Sequence, residues 1–197
     1  MDLVLVRHAL PIRIESSDGP ADPELTEHGR RQADAVAEWL GGEEFDAVYS
    51  SPLRRAVQTA EPIAKRTGCE ILLCEDIREY DAGLNAYIPY EELKATRDEH
   101  WQALAEDRLE DLAPEGATFR KRVSGAIEGI IATHPGQRVI AVAHGGAINV
   151  ALAEVLNLDR DLWVEVAYAS ISRVAASRQG ARSIVSVNET GHLRGLL

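Results

Sequence analysis

The chain has 197 residues, 45% of them hydrophobic, and a formal net charge of −11. This composition is typical of a folded globular protein, and the acidic balance disfavours nonspecific binding to nucleic acid or to an anionic membrane surface. No apolar run approaches the roughly 20 residues of a membrane span, and no basic start precedes an apolar signal segment. We therefore expect one domain over residues 1–197, located in the cytoplasm, with no nucleic-acid or membrane partner. The two cysteines are too few for a disulfide framework, so we expect reduced thiols.

The first predicted element is a short strand that leads directly into two polar residues. Residues 3–6 are all apolar and are followed by Arg7 and His8. An apolar run without alternation is typical of a strand that is buried on both faces of a parallel sheet. Arg7 and His8 should then emerge at the carboxyl end of this strand, where open α/β sheets place their ligand crevice. Taken alone, such a pair more often simply ends a strand.

A loop and a helix follow. Residues 11–23 contain prolines, Gly19 and polar residues, which predicts a loop that leaves the carboxyl end of the first strand and forms part of the rim of a site. Thr26 is a suitable N-cap for a helix with one apolar face that ends at Leu40, before Gly41.

The second strand, predicted at residues 45–49, leads into a helix that begins with two arginines. Ser51 could cap this helix, and Pro52 suits the first helical position because its missing N–H is not needed there. Arg54 and Arg55 would then lie in the first turn, where free backbone N–H groups already favour an anion. This argument does not distinguish between the two arginines.

Two carboxylates and a polar insertion come next. After a strand predicted at residues 70–73, Glu79 and Asp81 lie in a loop. Residues 84–116 form an acid-rich, helix-prone insertion, which we predict to be a small helical cap over the crevice. Its acidic residues most often indicate a solvated face.

The remaining pattern predicts a helix at residues 118–131, a strand at 138–143 and a helix at 147–156. His144 follows the strand at 138–143 and precedes Gly145, so it can meet His8 at one sheet edge. The alternation of strands and helices predicts an α/β fold, a three-layer α/β/α sandwich with a mostly parallel central sheet.

These motifs resemble those of the histidine phosphatase superfamily, which is also called phosphoglycerate mutase-like. The resemblance covers nearly the whole chain, and residues 169–176 and 184–187 resemble the two closing strands of the family. It is carried by Arg-His at residues 7–8, Leu-Thr-x-x-Gly-x-x-Gln-Ala at 25–33, Ser-Pro-Leu-Arg-Arg-Ala-x-Gln-Thr-Ala at 51–60 and Ala-His-Gly-Gly at 143–146. The order of the motifs is more specific than any one of them.

The resemblance implies a role for each polar residue. His8 would be the nucleophile, Arg7 and Arg55 would bind the phosphate, and His144, if protonated, would add a third cationic contact. Arg54 would be exposed. An unperturbed histidine pKa near ~6.5 would leave His8 largely neutral at neutral pH, and a backbone carbonyl should hold its other ring nitrogen.

Glu79 would be the catalytic acid and base, with Asp81 as the alternative carboxylate, because an alkoxide leaving group needs a proton. Arg7 and Arg55 would supply the positive charge that Mg²⁺ often supplies in phosphoryl transfer, so no metal and no cofactor are expected. The expected partner is a small-molecule phosphate ester. We keep a homodimer as the candidate assembly.

The chain departs from the family pattern after the Arg-His pair. Members commonly have Gly and then Glu or Gln directly after the pair, where this chain has Ala9 and Leu10. Many members have Asn or Thr about six residues after the pair, where this chain has Ile14. A neutral phosphate donor is then missing or is supplied from the rim, for which the candidates are Arg13, Ser16, Ser17 and Gly145.

The function that we predict is hydrolysis of a phosphomonoester, a small phosphorylated metabolite, through a phosphohistidine intermediate. The chain has no recognisable basic insertion that would hold a phosphorylated acid for return transfer, so we favour a phosphatase over a mutase. A mutase-type phosphotransferase is the first alternative. A non-catalytic phosphate-binding regulator is the second. Acidic residues near the site would disfavour polyphosphorylated substrates. Tyrosines and Trp101 could contact an apolar or aromatic leaving group, although Trp101 is equally suited to anchor the cap.

Overall fold

The computed structural model describes all residues from 1 to 197. Its strands are β1 (Asp2–Arg7), β2 (Ile14–Glu15), β3 (Ala47–Ser50), β4 (Ile71–Leu73), β5 (Ala86–Tyr87), β6 (Arg138–Ala143), β7 (Ile171–Ala176) and β8 (Arg182–Glu189). Its α-helices are α1 (Glu27–Leu40), α2 (Arg54–Thr67), α3 (Tyr90–Thr96), α4 (Glu99–Ala105), α5 (Gly116–Thr133) and α6 (Gly145–Leu156). Short 3-10 helices lie at Glu75–Ile77, Leu109–Asp111 and Gly191–Leu193.

The central sheet has six strands in the order β4-β3-β6-β1-β7-β8. The pairs β4–β3, β3–β6 and β6–β1 are parallel, whereas β7 and β8 are added in antiparallel orientation. The carboxyl ends of β3, β6 and β1 therefore lie side by side at one edge of the sheet. The predicted mostly parallel sheet is confirmed.

Helices cover both faces of the sheet because its central strands are apolar on both sides. In β1, Leu3 and Leu5 pack in one core cluster with residues of α5 and α6. Val4 and Val6 point to the opposite face, where they pack with residues of α1 and α2. The two cores on either side of one sheet confirm the predicted three-layer sandwich.

The start of α1 matches the sequence prediction, but the start of α2 does not. Thr26 caps α1, and its side chain accepts a hydrogen bond from the Gly29 backbone N–H at 2.8 Å. Helix α2 begins at Arg54 with Leu53 in the cap position, so Ser51 is not its N-cap and Pro52 is not its first residue. The exposed backbone N–H of Arg54 is satisfied from another loop, by Asp22 Oδ1 at 2.8 Å.

The segment 84–116, predicted as a cap, contains β5, α3, α4 and one 3-10 turn. Strand β5 pairs with β2 of the predicted rim loop, with Ile14 opposite Tyr87. This two-stranded sheet was not predicted, because two residues are too short for a periodic pattern.

Two remaining expectations concern thiols and membranes. Cys69 and Cys74 are free thiols, as predicted. None of the α-helices combines the length and the apolar character that a membrane crossing requires.

Candidate active site

Three polar side chains follow the ends of three neighbouring strands. His8 follows β1, His144 follows β6 and Ser51 follows β3, and all three are buried. The ring centroids of the two histidines are 5.0 Å apart. The expectation that His8 and His144 meet at one sheet edge is therefore confirmed.

The ring of His8 is held in one tautomer. Its Nδ1 atom lies 2.8 Å from the backbone oxygen of Ala9, which can only accept, so Nδ1 carries the proton and Nε2 is the unprotonated nitrogen. Burial, and then the positive charges of Arg55 and Arg7, hold the pKa of His8 well below its ordinary value of 6.5. His8 is thus neutral at neutral pH and presents a free nitrogen lone pair.

Arg7 is buried and held by the segment that precedes β7. Its Nη1 donates to the backbone oxygen of Val166, and its guanidinium carbon lies 3.7 Å from the ring centroid of Tyr168. The hydroxyl of Tyr168 is in turn 3.2 Å from that of Tyr87. The Nε–H of Arg7 is buried and has no protein partner.

Arg55 is almost fully buried, at 1% exposure, whereas Arg54 is exposed. Its Nη2 atom donates to Asp81 Oδ1 at 3.0 Å, and its guanidinium carbon lies 4.7 Å from the ring centroid of Tyr87. The Nε–H of Arg55 is also buried without a protein partner. Arg7 and Arg55 therefore offer two fixed positive charges and spare donors beside His8.

Glu79 is buried against the first turn of α6. Its Oε2 atom accepts the backbone N–H of Gly146 at 2.8 Å, and Oε1 accepts that of Tyr80 at 3.3 Å. Burial, and then the negative charge of Asp81, raise the pKa of Glu79 from 4.5 to about 7. Such a carboxyl group exists in both protonation states near neutral pH, as an acid that must later act as a base requires.

The surroundings of His144 favour its neutral form over the protonated form that a third cationic contact would need. Its Nε2 atom lies 2.8 Å from Ser51 Oγ, and its Nδ1 atom is buried without a partner. Burial, and then the positive charge of Arg55, lower its pKa well below 6.5. The condition on which His144 would add a third cationic contact is therefore disfavoured, because a fully buried imidazole near the guanidinium groups of Arg55 and Arg7 favours its neutral form.

A cavity of about 350 Å³ opens over these residues. Its inner wall contains Arg7, His8, Arg55, Glu79, Asp81, Gly145 and Gly146, and its outer wall is mostly apolar. His144 lies behind this wall and does not line the cavity. No group of three or more His, Cys, Asp or Glu side chains is arranged to hold a metal ion.

Of the four rim candidates, only Gly145 lines the cavity. The side chain of Arg13 is 50% exposed and forms ion pairs with Glu15 and Glu92. The Ser16 hydroxyl accepts the exposed backbone N–H of Asp18 at 3.3 Å. Neither of these residues, nor Ser17, forms part of the cavity wall, so the wall has no neutral donor from the rim loop.

A comparison with protein families gives a single assignment. The model of the histidine phosphatase superfamily (branch 1) matches residues 3–190. The chain belongs to this superfamily. The family recognised in the sequence, the fold class and the classification as a histidine phosphatase enzyme are thereby confirmed.

Individual histidine phosphatases resemble the chain over most of its length. Phosphoserine phosphatase 1 of Hydrogenobacter thermophilus is 29% identical over 202 residues, which cover 97% of this chain and 93% of that protein. Phosphoglycerate mutase-like protein 4 of Arabidopsis thaliana is 36% identical over 160 residues, covering 75% and 67%. The crystal structure of phosphoserine phosphatase from Entamoeba histolytica in complex with 3-phosphoglyceric acid superposes with a TM-score of 0.76, at 27% identity and 98% coverage of both chains.

Sequence reasoning missed the residue that supports the Arg7 side of this histidine phosphatase site. Asn149 of α6 is buried, and its Oδ1 accepts the backbone N–H groups of Trp163 and Val164 at 3.0 and 2.9 Å. Its Nδ2 donates to the backbone oxygen of Val164 at 2.9 Å. These bonds hold the segment that carries Val166, the partner of Arg7. The available signal was an amide in a helix whose only other polar side chain is Glu154, since a buried polar group needs partners.

Proposed function

We propose that this histidine phosphatase hydrolyses small phosphate monoesters through a phosphohistidine formed on Nε2 of His8. The observation that carries the proposal is the neutral His8 ring, whose Nδ1–H is fixed by the Ala9 carbonyl while Nε2 stays free between two buried arginines. A nucleophile must be unprotonated, and its target must be held in one position. The first requirement is met before a substrate arrives, and the free Nε–H groups of Arg7 and Arg55 are in place to serve the second.

In the proposed first step, Nε2 of His8 attacks phosphorus, the Nε2–P bond forms and the bond from phosphorus to the ester oxygen breaks. Arg7 and Arg55 compensate the negative charge on the phosphoryl oxygens. Protonated Glu79 gives its proton to the departing oxygen, so an alcohol leaves and the enzyme holds a phosphoryl group. With a pKa of about 7, a substantial fraction of Glu79 is protonated at neutral pH.

In the proposed second step, the Glu79 carboxylate takes a proton from water while the water oxygen attacks phosphorus. The Nε2–P bond breaks, inorganic phosphate leaves and Glu79 returns to its acid form. His144 acts as a neutral neighbour that shapes the pocket behind His8. The charge of the phosphoryl group is then balanced by two cations, Arg7 and Arg55, with no requirement for a third.

A small phosphate ester is the substrate class that suits this cavity. The named substrate of the Hydrogenobacter relative is phosphoserine, and the Entamoeba relative was crystallised with 3-phosphoglyceric acid. Both are small phosphorylated molecules, which supports the class but not a particular member. We keep the cytoplasm as the proposed location, in agreement with two free thiols, and a homodimer as the candidate assembly.

The test is hydrolysis of p-nitrophenyl phosphate in excess EDTA by the wild type, His8→Ala and a control, His134→Ala. His134 ends α5 before the amino end of β6, at the opposite edge of the sheet. We expect EDTA-resistant turnover and an acid-labile phosphoenzyme in the wild type and the control, and neither in His8→Ala. Equal turnover in all three proteins would remove His8 as the nucleophile. Turnover only with a bisphosphorylated primer would favour the mutase alternative.

A further inference from the structure

The two ends of the active-site cavity differ in chemistry. The inner end contains the charged residues described above. The outer wall is built by two segments far apart in sequence, and its apolar members include Ile88, Trp101, Leu104, Leu162, Trp163 and Val164. A cavity of about 350 Å³ falls in the size range of sites for small organic molecules, so it holds a leaving group beside the phosphate.

The two charged groups of the outer wall, Arg160 and Glu165, already form hydrogen bonds, and Glu165 is also charge-paired. The Nε atom of Arg160 donates to the Leu162 backbone oxygen at 2.6 Å, and its Nη2 atom donates to the Ala105 backbone oxygen at 2.5 Å. Glu165 is paired with Lys94 at 2.8 Å. Arg160 thus links the 84–116 segment to the segment before β7, and at least two of its N–H groups are used in these hydrogen bonds.

A second anionic group on the substrate would therefore find a poor environment. Beyond Arg7 and Arg55, a carboxylate on the leaving group would face apolar side chains, the carboxylate of Glu165 and a single cation, Arg160, whose guanidinium is held by two backbone oxygens. Removing a carboxylate from water without a partner is costly, whereas burying an apolar group is favourable. An apolar leaving group is therefore better suited to the outer wall than an anionic one.

We propose that the site prefers phosphate monoesters of uncharged apolar or aromatic alcohols, and that Trp101 and Leu162 are specificity-determining residues. This inference rests on the proposed function and narrows its substrate class. Trp101 forms an edge contact with Tyr90, at 5.3 Å between ring centroids, and both residues line the cavity. This pair offers an aromatic surface to the leaving group.

The decisive comparison is kcat/KM for 2-phenylethyl phosphate against phosphoserine. Both are primary alkyl esters, so the comparison does not simply report a more acidic leaving alcohol. We expect 2-phenylethyl phosphate to be preferred at least about tenfold, the scale at which an apolar pocket discriminates. Equal values, or a preference for phosphoserine, would overturn the inference.

A matched pair of leucine variants tests the wall itself. Leu162→Asn makes the outer wall polar at similar size, and we expect it to reduce the preference ratio by roughly tenfold. Leu156→Asn changes an exposed leucine at the end of α6, outside the cavity, and should leave the ratio unchanged. A selective loss of phosphoserine turnover in Arg160→Gln would instead assign Arg160 to a substrate carboxylate and contradict the proposal.

The wall remains testable if the proposed function fails. If the wild type hydrolyses none of these esters, hydrolysis through His8 is refuted, and titration calorimetry of the same two esters then decides the inference. Tighter binding of 2-phenylethyl phosphate, weakened by Leu162→Asn, supports the apolar site. Equal or tighter binding of phosphoserine refutes it.

Discussion

Gly146 donates its backbone N–H to Oε2 of Glu79 at 2.8 Å, and a Cβ atom at Gly146 would lie 2.4 Å from Oε1 of the same carboxylate. The free N–H groups at the start of a helix are natural partners of a carboxylate. Glu79 can approach α6 this closely only because residue 146 has no side chain. The second glycine after His144 is thus explained by the position of the proposed acid.

We predict that Gly146→Ala lowers kcat by roughly 10- to 100-fold, because displacing Glu79 removes a general acid from its position. The measurement is steady-state hydrolysis of an alkyl phosphate, with circular dichroism to verify folding. Gly125→Ala is the matched control, since it lies in α5 and its Cβ would meet nothing within 4 Å. Equal activity of both variants would contradict the placement of Glu79.

Asp81→Asn is predicted to shift the pH dependence of kcat/KM to lower pH. The negative charge of Asp81 contributes to the raised pKa of Glu79, so its removal should lower that pKa. The first step needs protonated Glu79, and kcat/KM should therefore begin to fall at a lower pH in the variant than in the wild type. The check is a kcat/KM profile from pH 5 to 9, with the exposed Asp34→Asn on α1 as the control. A profile that does not move would show that Asp81 leaves the acid unaffected.

Asn149→Leu should separate support of Arg7 from general stability. The substitution leaves two backbone N–H groups and two backbone oxygens without their side-chain partner, which should lower the free energy of unfolding by about 2–4 kcal/mol. The segment that holds Arg7 would loosen, so we expect KM for a phosphate ester to rise. Urea unfolding and steady-state kinetics measure the two effects. An unchanged KM in a destabilised variant would limit Asn149 to a structural role.

His8→Asn is predicted to change how stability depends on pH. The pKa of His8 is lower in the folded than in the unfolded chain, so the unfolded state binds more protons below pH 6.5. His8 therefore contributes stability that is present above its unfolded pKa and is lost as the pH falls. Relative to the wild type, the variant should gain on the order of 1 kcal/mol between pH 7.5 and pH 5.5. A difference in unfolding free energy that is independent of pH would show that His8 is not buried in its neutral form.

Several elements could be predicted because their pattern is local. The apolar runs of β1 and β6 require burial on both faces, and this requirement alone places His8 and His144 at a sheet edge. The capped helix α1 follows from Thr26 and an apolar stripe. The family motifs then separate Arg55 from Arg54, which helix geometry could not do.

The start of α2 and the charge of His144 could not be predicted in the same way. Ser51 is a good capping residue by type, but its hydroxyl lies against His144 from the neighbouring strand, and the helix begins later. The pKa of His144 depends on burial and on Arg55, which is distant in sequence. Both outcomes result from contacts between separate elements.

By itself, the sequence determined the layers, the mostly parallel sheet and the residues that reach the carboxyl ends of its strands. Burial patterns and strand ends depend on short stretches of sequence, so they can be predicted without the tertiary structure. Only the tertiary structure decided the raised pKa of Glu79, the Arg55–Asp81 pair and the apolar outer wall. A pKa shift and a specificity wall depend on distance and desolvation among residues that come together only when the chain has folded.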